Sequence, residues 1–126
     1  MKTTLFSVIL FLAPFQLQDS ALEKHIVRTH DNGNPYVVVY TLGKQQLRVK
    51  EELYFDNGNL DYVGHYKGGV EHGEWVYYWE NGNVKSWEYY ELGLEEGAHY
   101  DCDEQGNKVR VYHYRKGTLL REELIK

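Results

Sequence analysis

The stretch Trp75-Val76-Tyr77-Tyr78-Trp79-Glu80-Asn81-Gly82-Asn83-Val84-Lys85-Ser86-Trp87-Glu88-Tyr89-Tyr90 places seven aromatic residues in sixteen positions around one polar, turn-forming core. Asn-Gly between apolar, aromatic flanks is a strong short-range hairpin signal, because both residues tolerate positive φ. The flanks alternate with period two, so Trp75, Tyr77 and Trp79 are expected on one face and Val76 and Tyr78 on the other. Beyond the turn, Trp87 and Tyr89 share a face. Tyr, Trp and Val suit a pleated sheet better than a helix.

The same pattern recurs along the chain. His30-Asp31-Asn32-Gly33-Asn34, Phe55-Asp56-Asn57-Gly58-Asn59, Trp79 to Asn83 and Asp103-Glu104-Gln105-Gly106-Asn107 carry glycines spaced 25, 24 and 24 residues apart. All seven asparagines of the protein fall in these four turns. A second glycine follows in each unit, at Gly43, Gly69, Gly93 and Gly117, and a third in the two middle units, at Gly73 and Gly97. Each unit therefore reads as strand, Asn-Gly turn, strand, glycine turn. A lone hairpin is marginal in water, so the units must stack. The expected fold is all-β: an antiparallel single-sheet meander of about four repeats and about seven or eight strands. Pro35, which cannot donate to a ladder, places the first unit at an edge. The last unit has Arg121 where Gly73 and Gly97 stand, and its tail reads as a capping strand or a short helix.

Tyr66-x-x-Gly69-x-x-x-Gly73-x-Trp75 and Tyr90-x-x-Gly93-x-x-x-Gly97-x-His99 resemble the MORN repeat, and the segment between them is similar to its bacterial variant. The resemblance implies a hairpin-per-repeat sheet over residues 26–126 that binds proteins or lipid headgroups. Some relatives of this kind are described as antitoxins, which implies an intracellular alternative.

The 126-residue length allows one small domain. A net charge of −5, with 14 basic and 19 acidic residues interspersed, argues against nucleic-acid binding and against charge-driven binding to anionic lipid. Residues 1–21 carry Lys2 and then an apolar run from Leu5 to Phe15, too short to span a bilayer and suited to a secretory signal peptide cut near Ser20 or Ala21. This predicts a secreted or periplasmic protein with no transmembrane segment after signal removal. The one cysteine, Cys102, excludes an intramolecular disulfide and reads as buried and inert.

No serine-hydrolase elbow, phosphate loop, zinc-protease motif or dinucleotide fingerprint occurs, so no enzymatic role and no cofactor is expected. His99, Asp101, Cys102 and Asp103 lie together but lack the spacing of a metal site, and the two aspartates fit the opening of a turn. His65 and His113 hold equivalent repeat positions, where histidine can stand in for a half-buried tyrosine. The candidate binding residues are Trp75, Tyr77, Trp79, Trp87, Tyr89, His65 and His113, set against the simpler reading that the aromatics form the core. Gly33, Gly58, Gly82, Gly106, Gly69, Gly93 and Gly117 are structural turn residues. A protein partner is the leading expectation. A glycan or lipid headgroup is the alternative, and a homodimer through the exposed edge strands is a further expectation.

Overall fold

The computed structural model describes residues 22–126. The expected signal peptide at residues 1–21 lies outside them. Among the described residues there is no helix. The chain forms one antiparallel sheet in meander order, open at both edges.

Ten strands compose it: β1 (Leu22–Thr29), β2 (Pro35–Leu42), β3 (Leu47–Tyr54), β4 (Leu60–Lys67), β5 (Val70–Tyr78), β6 (Val84–Glu91), β7 (Leu94–Glu95), β8 (Gly97–Cys102), β9 (Lys108–Arg115) and β10 (Thr118–Leu124). The two-residue β7 and β8 both pair with β6. They are one repeat strand interrupted at Glu96, and the bulge around Gly73 is its counterpart in β5. The strand count exceeds the sequence expectation for this reason and because the tail beyond the fourth unit is itself a strand. β1, the first strand of the first unit, already extends back to Leu22, ahead of the boundary expected at residue 26. The first unit stands at an edge as expected, but through β1, and Pro35 itself lies one strand in. It opens β2, where a missing N–H is tolerated, and β1 pairs outside it from Thr29 back to Leu22. The C-terminal tail is a strand, β10, not a helix.

The turns at the two ends of the hairpins differ in kind. At the Asn-Gly end, the Gly33 N–H donates to His30 O at 2.9 Å and the His30 N–H to Asn34 O at 2.8 Å. Gly33 has φ +86°, whereas Asn32 stays out of the left-handed region. This is a three-residue loop, a type I turn closed by a left-handed glycine, and not the two-residue turn that Asn-Gly suggests. Phe55, Trp79 and Asp103 open the same loop in the later units. The two-residue turns lie at the other end. Gly68-Gly69, Leu92-Gly93 and Lys116-Gly117 carry positive φ at both positions, as a type I′ turn demands.

The asparagines freed from strained backbone tie one repeat to the next. Asn32 and Asn34 donate through Nδ2 to Asp56 O at 2.7 and 3.0 Å. Asn57 and Asn59 do the same to Glu80 O at 3.3 and 2.9 Å, and Asn81 and Asn83 to Glu104 O at 2.8 and 2.7 Å. Each turn thus holds the carbonyl of the turn that follows. The last turn has no successor. Gln105 replaces the first asparagine there, and Asn107 donates back to Asp103 Oδ1 instead.

Directly paired residues project to the same side of a sheet. Trp75 pairs with Glu88 and Tyr77 with Ser86, whereas Val76 pairs with Trp87 and Glu74 with Tyr89. The first face therefore holds Trp75, Tyr77, Glu88 and Tyr90, joined by Tyr62 and Gly64 of β4 and by His99, Asp101, Tyr112 and Tyr114 of β8 and β9. The second face holds Val38, Tyr40, Lys50, Glu52, His65, Trp87, Tyr89, Tyr100 and His113. A single layer encloses little. Val38, Trp75, Cys102, Thr41, Glu52 and His99 are buried, and most other aromatics are half-buried.

Candidate interaction face

The first face carries a continuous row of rings. The Trp75 indole is 7% exposed and packs edge-on against Tyr66 and Tyr90, with centroids 5.3 and 6.0 Å away, and stacks with Tyr62 at 5.7 Å. Tyr62 continues to Tyr77 at 5.6 Å. One repeat on, His99 takes the tryptophan's place between Tyr90 at 6.1 Å and Tyr114 at 4.7 Å. The substitution preserves a hydrogen bond. Trp75 Nε1 donates to His65 O at 3.1 Å, and His99 Nε2 lies 2.9 Å from Tyr89 O, the equivalent carbonyl, to which it donates in the Nε2-protonated tautomer. The Tyr-x-x-Gly-x-x-x-Gly-x-aromatic pattern thus has a physical content. The first glycine closes the two-residue turn, the second bends the strand, and the final ring lands between the tyrosines of two successive hairpins.

Gly64 is the seat of the tryptophan. A Cβ there would lie 2.7 Å from the Cε3 and Cζ3 atoms of Trp75, so the indole lies flat on bare backbone.

Carboxylates are threaded through the row. The Tyr62 hydroxyl donates to Glu51, the Tyr90 hydroxyl to Glu88 Oε2 at 2.9 Å and the Tyr112 hydroxyl to Asp101 Oδ2 at 3.0 Å. Burial and then the bonded carboxylates raise the Tyr62 and Tyr90 phenols. Tyr77 is pushed up to about 12, by burial first and then by Glu88 and its neighbours. The arginines of this face stand to either side. Arg48 pairs with Glu51 at 3.0 Å, and Arg110 with Glu122 at 3.3 Å.

The second face is built differently. Glu52, 7% exposed, accepts hydrogen bonds from the Tyr40 and Tyr54 hydroxyls at 2.8 and 2.6 Å and pairs with Lys50 Nζ at 2.6 Å. Burial alone would raise its carboxyl. Lys50 and the two hydroxyls outweigh that and hold it below the usual range. Tyr40 is pushed up to about 12 by burial and by Glu52. Trp87 and Tyr100 stack nearly parallel, 9° apart at 5.7 Å.

The seven candidate residues consequently do not share one surface. Trp75 and Tyr77 lie on the first face, whereas Trp87, Tyr89, His65 and His113 lie on the second. The three-residue loop pairs Tyr78 with Val84, and the bulge that follows shifts the register by one residue, so that Trp75 lies opposite Glu88 rather than Trp87. Trp79 does not continue the Trp75–Tyr77 stripe in β5. It opens the turn, where its Nε1 donates to Cys102 O at 3.2 Å and its ring lies 4.8 Å from Lys85 Nζ. His65 Nδ1 is engaged with Glu74 O at 2.8 Å, and His113 faces Glu123 at 3.6 Å. Glu88, Tyr90, Tyr112 and Tyr114 belong to the first face and were not singled out in the sequence. Tyr90 and Tyr114 recur with Tyr66 at 24-residue spacing, whereas Glu88 and Tyr112 share one repeat position with Gly64 and carry no such signal.

Asp103 opens the last turn, and hydrogen bonds from Asn107 lower its carboxyl. Among the described residues no three His, Cys, Asp or Glu side chains converge as a metal site. Cys102 is free and buried, and burial raises its thiol.

No family model matches the chain, and no curated protein matches it. Among solved structures, the sheet is similar to a chain of the glycosylation-associated protein Gap123 complex from Streptococcus agalactiae, with 16% identity and a TM-score of 0.49. That match covers 82% of this chain but 19% of the other.

Proposed function

We propose that the protein is an exported, non-enzymatic MORN-like repeat module that binds a protein partner through the first face. One observation supports this reading above others. The Tyr62–Trp75–Tyr77–Tyr90 row is half-exposed yet fixed by a buried anchor at each of its two central repeats, Trp75 and His99. Rigid, partly exposed tyrosines offer large contact area at little cost in side-chain entropy, which is why they are enriched in protein interfaces. Export rests on the apolar run at Leu5 to Phe15.

Site-specific photocrosslinking in the producing cell tests it. A photoreactive residue at Tyr77 should capture one discrete protein, and the same residue at Tyr89, on the reverse face, should not. Capture from Tyr89 alone would contradict the proposal. So would glycan-array binding that is abolished by Tyr77→Ala without any protein crosslink.

A further inference from the structure

We infer that the segment recognised by the first face is basic, an extended stretch of a partner protein carrying arginine or lysine side chains. This rests on the interaction reading above and names the chemistry of the partner. Between β6, β8 and β9 the face opens into a hollow of about 270 Å³, with the buried His99 at its floor and Glu88, Asp101, Tyr112 and Tyr114 around it; Trp87 and Tyr100, at the alternate positions of β6 and β8, line it as well. The two carboxylates are oriented but not neutralised. Each is held through one oxygen by a tyrosine hydroxyl, Glu88 by Tyr90 and Asp101 by Tyr112. Among the described residues, Glu88 Oε1 and Asp101 Oδ1 accept no hydrogen bond, and neither side chain forms an ion pair.

The cations that could have filled this role are committed elsewhere. Arg48 is held by Glu51 and lies over the Tyr66 ring at 3.8 Å. Arg110, the cross-strand neighbour of Asp101, pairs with Glu122 and donates to the Tyr112 hydroxyl at 3.3 Å, so it stands beside the hollow without forming an ion pair with either carboxylate. The second face covers rings of its own with lysines, Lys50 over Tyr40 and Lys108 over Tyr100, and at the turn Lys85 lies over Trp79. The hollow therefore combines aromatic faces, which attract a cation, with preoriented carboxylate oxygens, which accept charge-assisted hydrogen bonds. That pairing selects a guanidinium or ammonium group. It repels phosphate, and with it lipid headgroups and nucleic acid. The chain's own net charge of −5 also disfavours a second copy as the occupant.

Fluorescence anisotropy of the full chain with a fluorescein-labelled Gly-Arg repeat peptide tests this against the same peptide with citrulline in place of arginine. The arginine peptide should bind about tenfold or more tighter, and more weakly as salt is raised. Glu88→Gln and Asp101→Asn keep the acceptors for Tyr90 and Tyr112, so the sheet should fold, yet each should weaken binding about fivefold to tenfold. Glu80→Gln, which removes the same charge from a turn, should leave binding unchanged. Equal binding of the citrulline peptide, or indifference to both carboxylate variants, would overturn the inference. If Tyr77 captures a protein in the cell and that capture survives Glu88→Gln and Asp101→Asn, the basic-segment inference fails while the interaction module stands.

Discussion

The two faces of this sheet are built from the same residue types and end in opposite states. On the second face, charge is consumed internally. Glu52 is buried against Lys50 and two phenols, and Lys50 and Lys108 lie over the Tyr40 and Tyr100 rings. On the first face, the arginines at β3 and β9 reach Tyr66 and Tyr112 and pair with Glu51 and Glu122, and Glu88 and Asp101 between them are held by tyrosine hydroxyls alone. A face that satisfies its own polar groups gains structure and offers a partner little. A face that orients them without satisfying them remains available for recognition. A thin sheet can therefore divide the work of folding and of binding between its two sides.

The comparison predicts unequal costs for the same substitution. Trp75→Ala removes a buried indole and leaves Tyr66 and Tyr90 without their shared contact, so it should destabilise by about 3–4 kcal/mol in urea unfolding. Trp87→Ala, on the second face and half-exposed, should cost about 1–2 kcal/mol. Equal losses would erase the distinction. Gly64→Ala comes next. The added methyl meets the rigid ring and not a flexible tip, and overpacking of this kind costs about 2–3 kcal/mol. The Gly64→Ala, Trp75→Ala double variant should recover part of that loss, because the clash is gone.

Smaller effects come from the turns and from Glu52. Asn83→Ala deletes one hydrogen bond to Glu104 O at an exposed turn and should cost about 1 kcal/mol. Asn107→Ala, whose partner is in its own turn, loosens only that turn and leaves the contact between repeats intact, which amide exchange at the preceding turn can read. The pH dependence isolates the second face. Glu52 has a folded pKa below its unfolded value, so its stabilisation is fully present above the ordinary glutamate range near about 4.3 and is lost as pH falls through the lower, folded value. Glu52→Gln should flatten that part of the acid unfolding curve. An unchanged acid limb would mean that the buried pair contributes nothing to it.

The sequence discloses periodic features well and register poorly. Hairpins, repeat length and the glycine turns follow from Asn-Gly spacing and alternation, because these are local rules. The division of Trp75 from Trp87 does not, since a one-residue bulge beside the turn decides which side chain lies opposite which. Asn32, Asn57 and Asn81 were legible as turn residues, but their bonds to the following repeat were not, because a turn signal is local and the bond spans more than twenty residues. The replacement of asparagine by Gln105 in the last turn was the trace that this contact left. β1 follows from the strand before the first turn, but the start expected at residue 26 is too late, because Leu22 to Thr29 lacks the aromatic residues that marked the other strands.

The central claim is that recognition belongs to the first face. Aromatic-detected NMR of tyrosine- and tryptophan-labelled protein, titrated with the Gly-Arg peptide, tests it most directly. Shifts should concentrate at Tyr77, Tyr90, Tyr112 and Tyr114 and leave Tyr40 and Tyr89 in place. Shifts centred on Tyr40 and Tyr89 would place the binding surface on the opposite side of the sheet and contradict the claim.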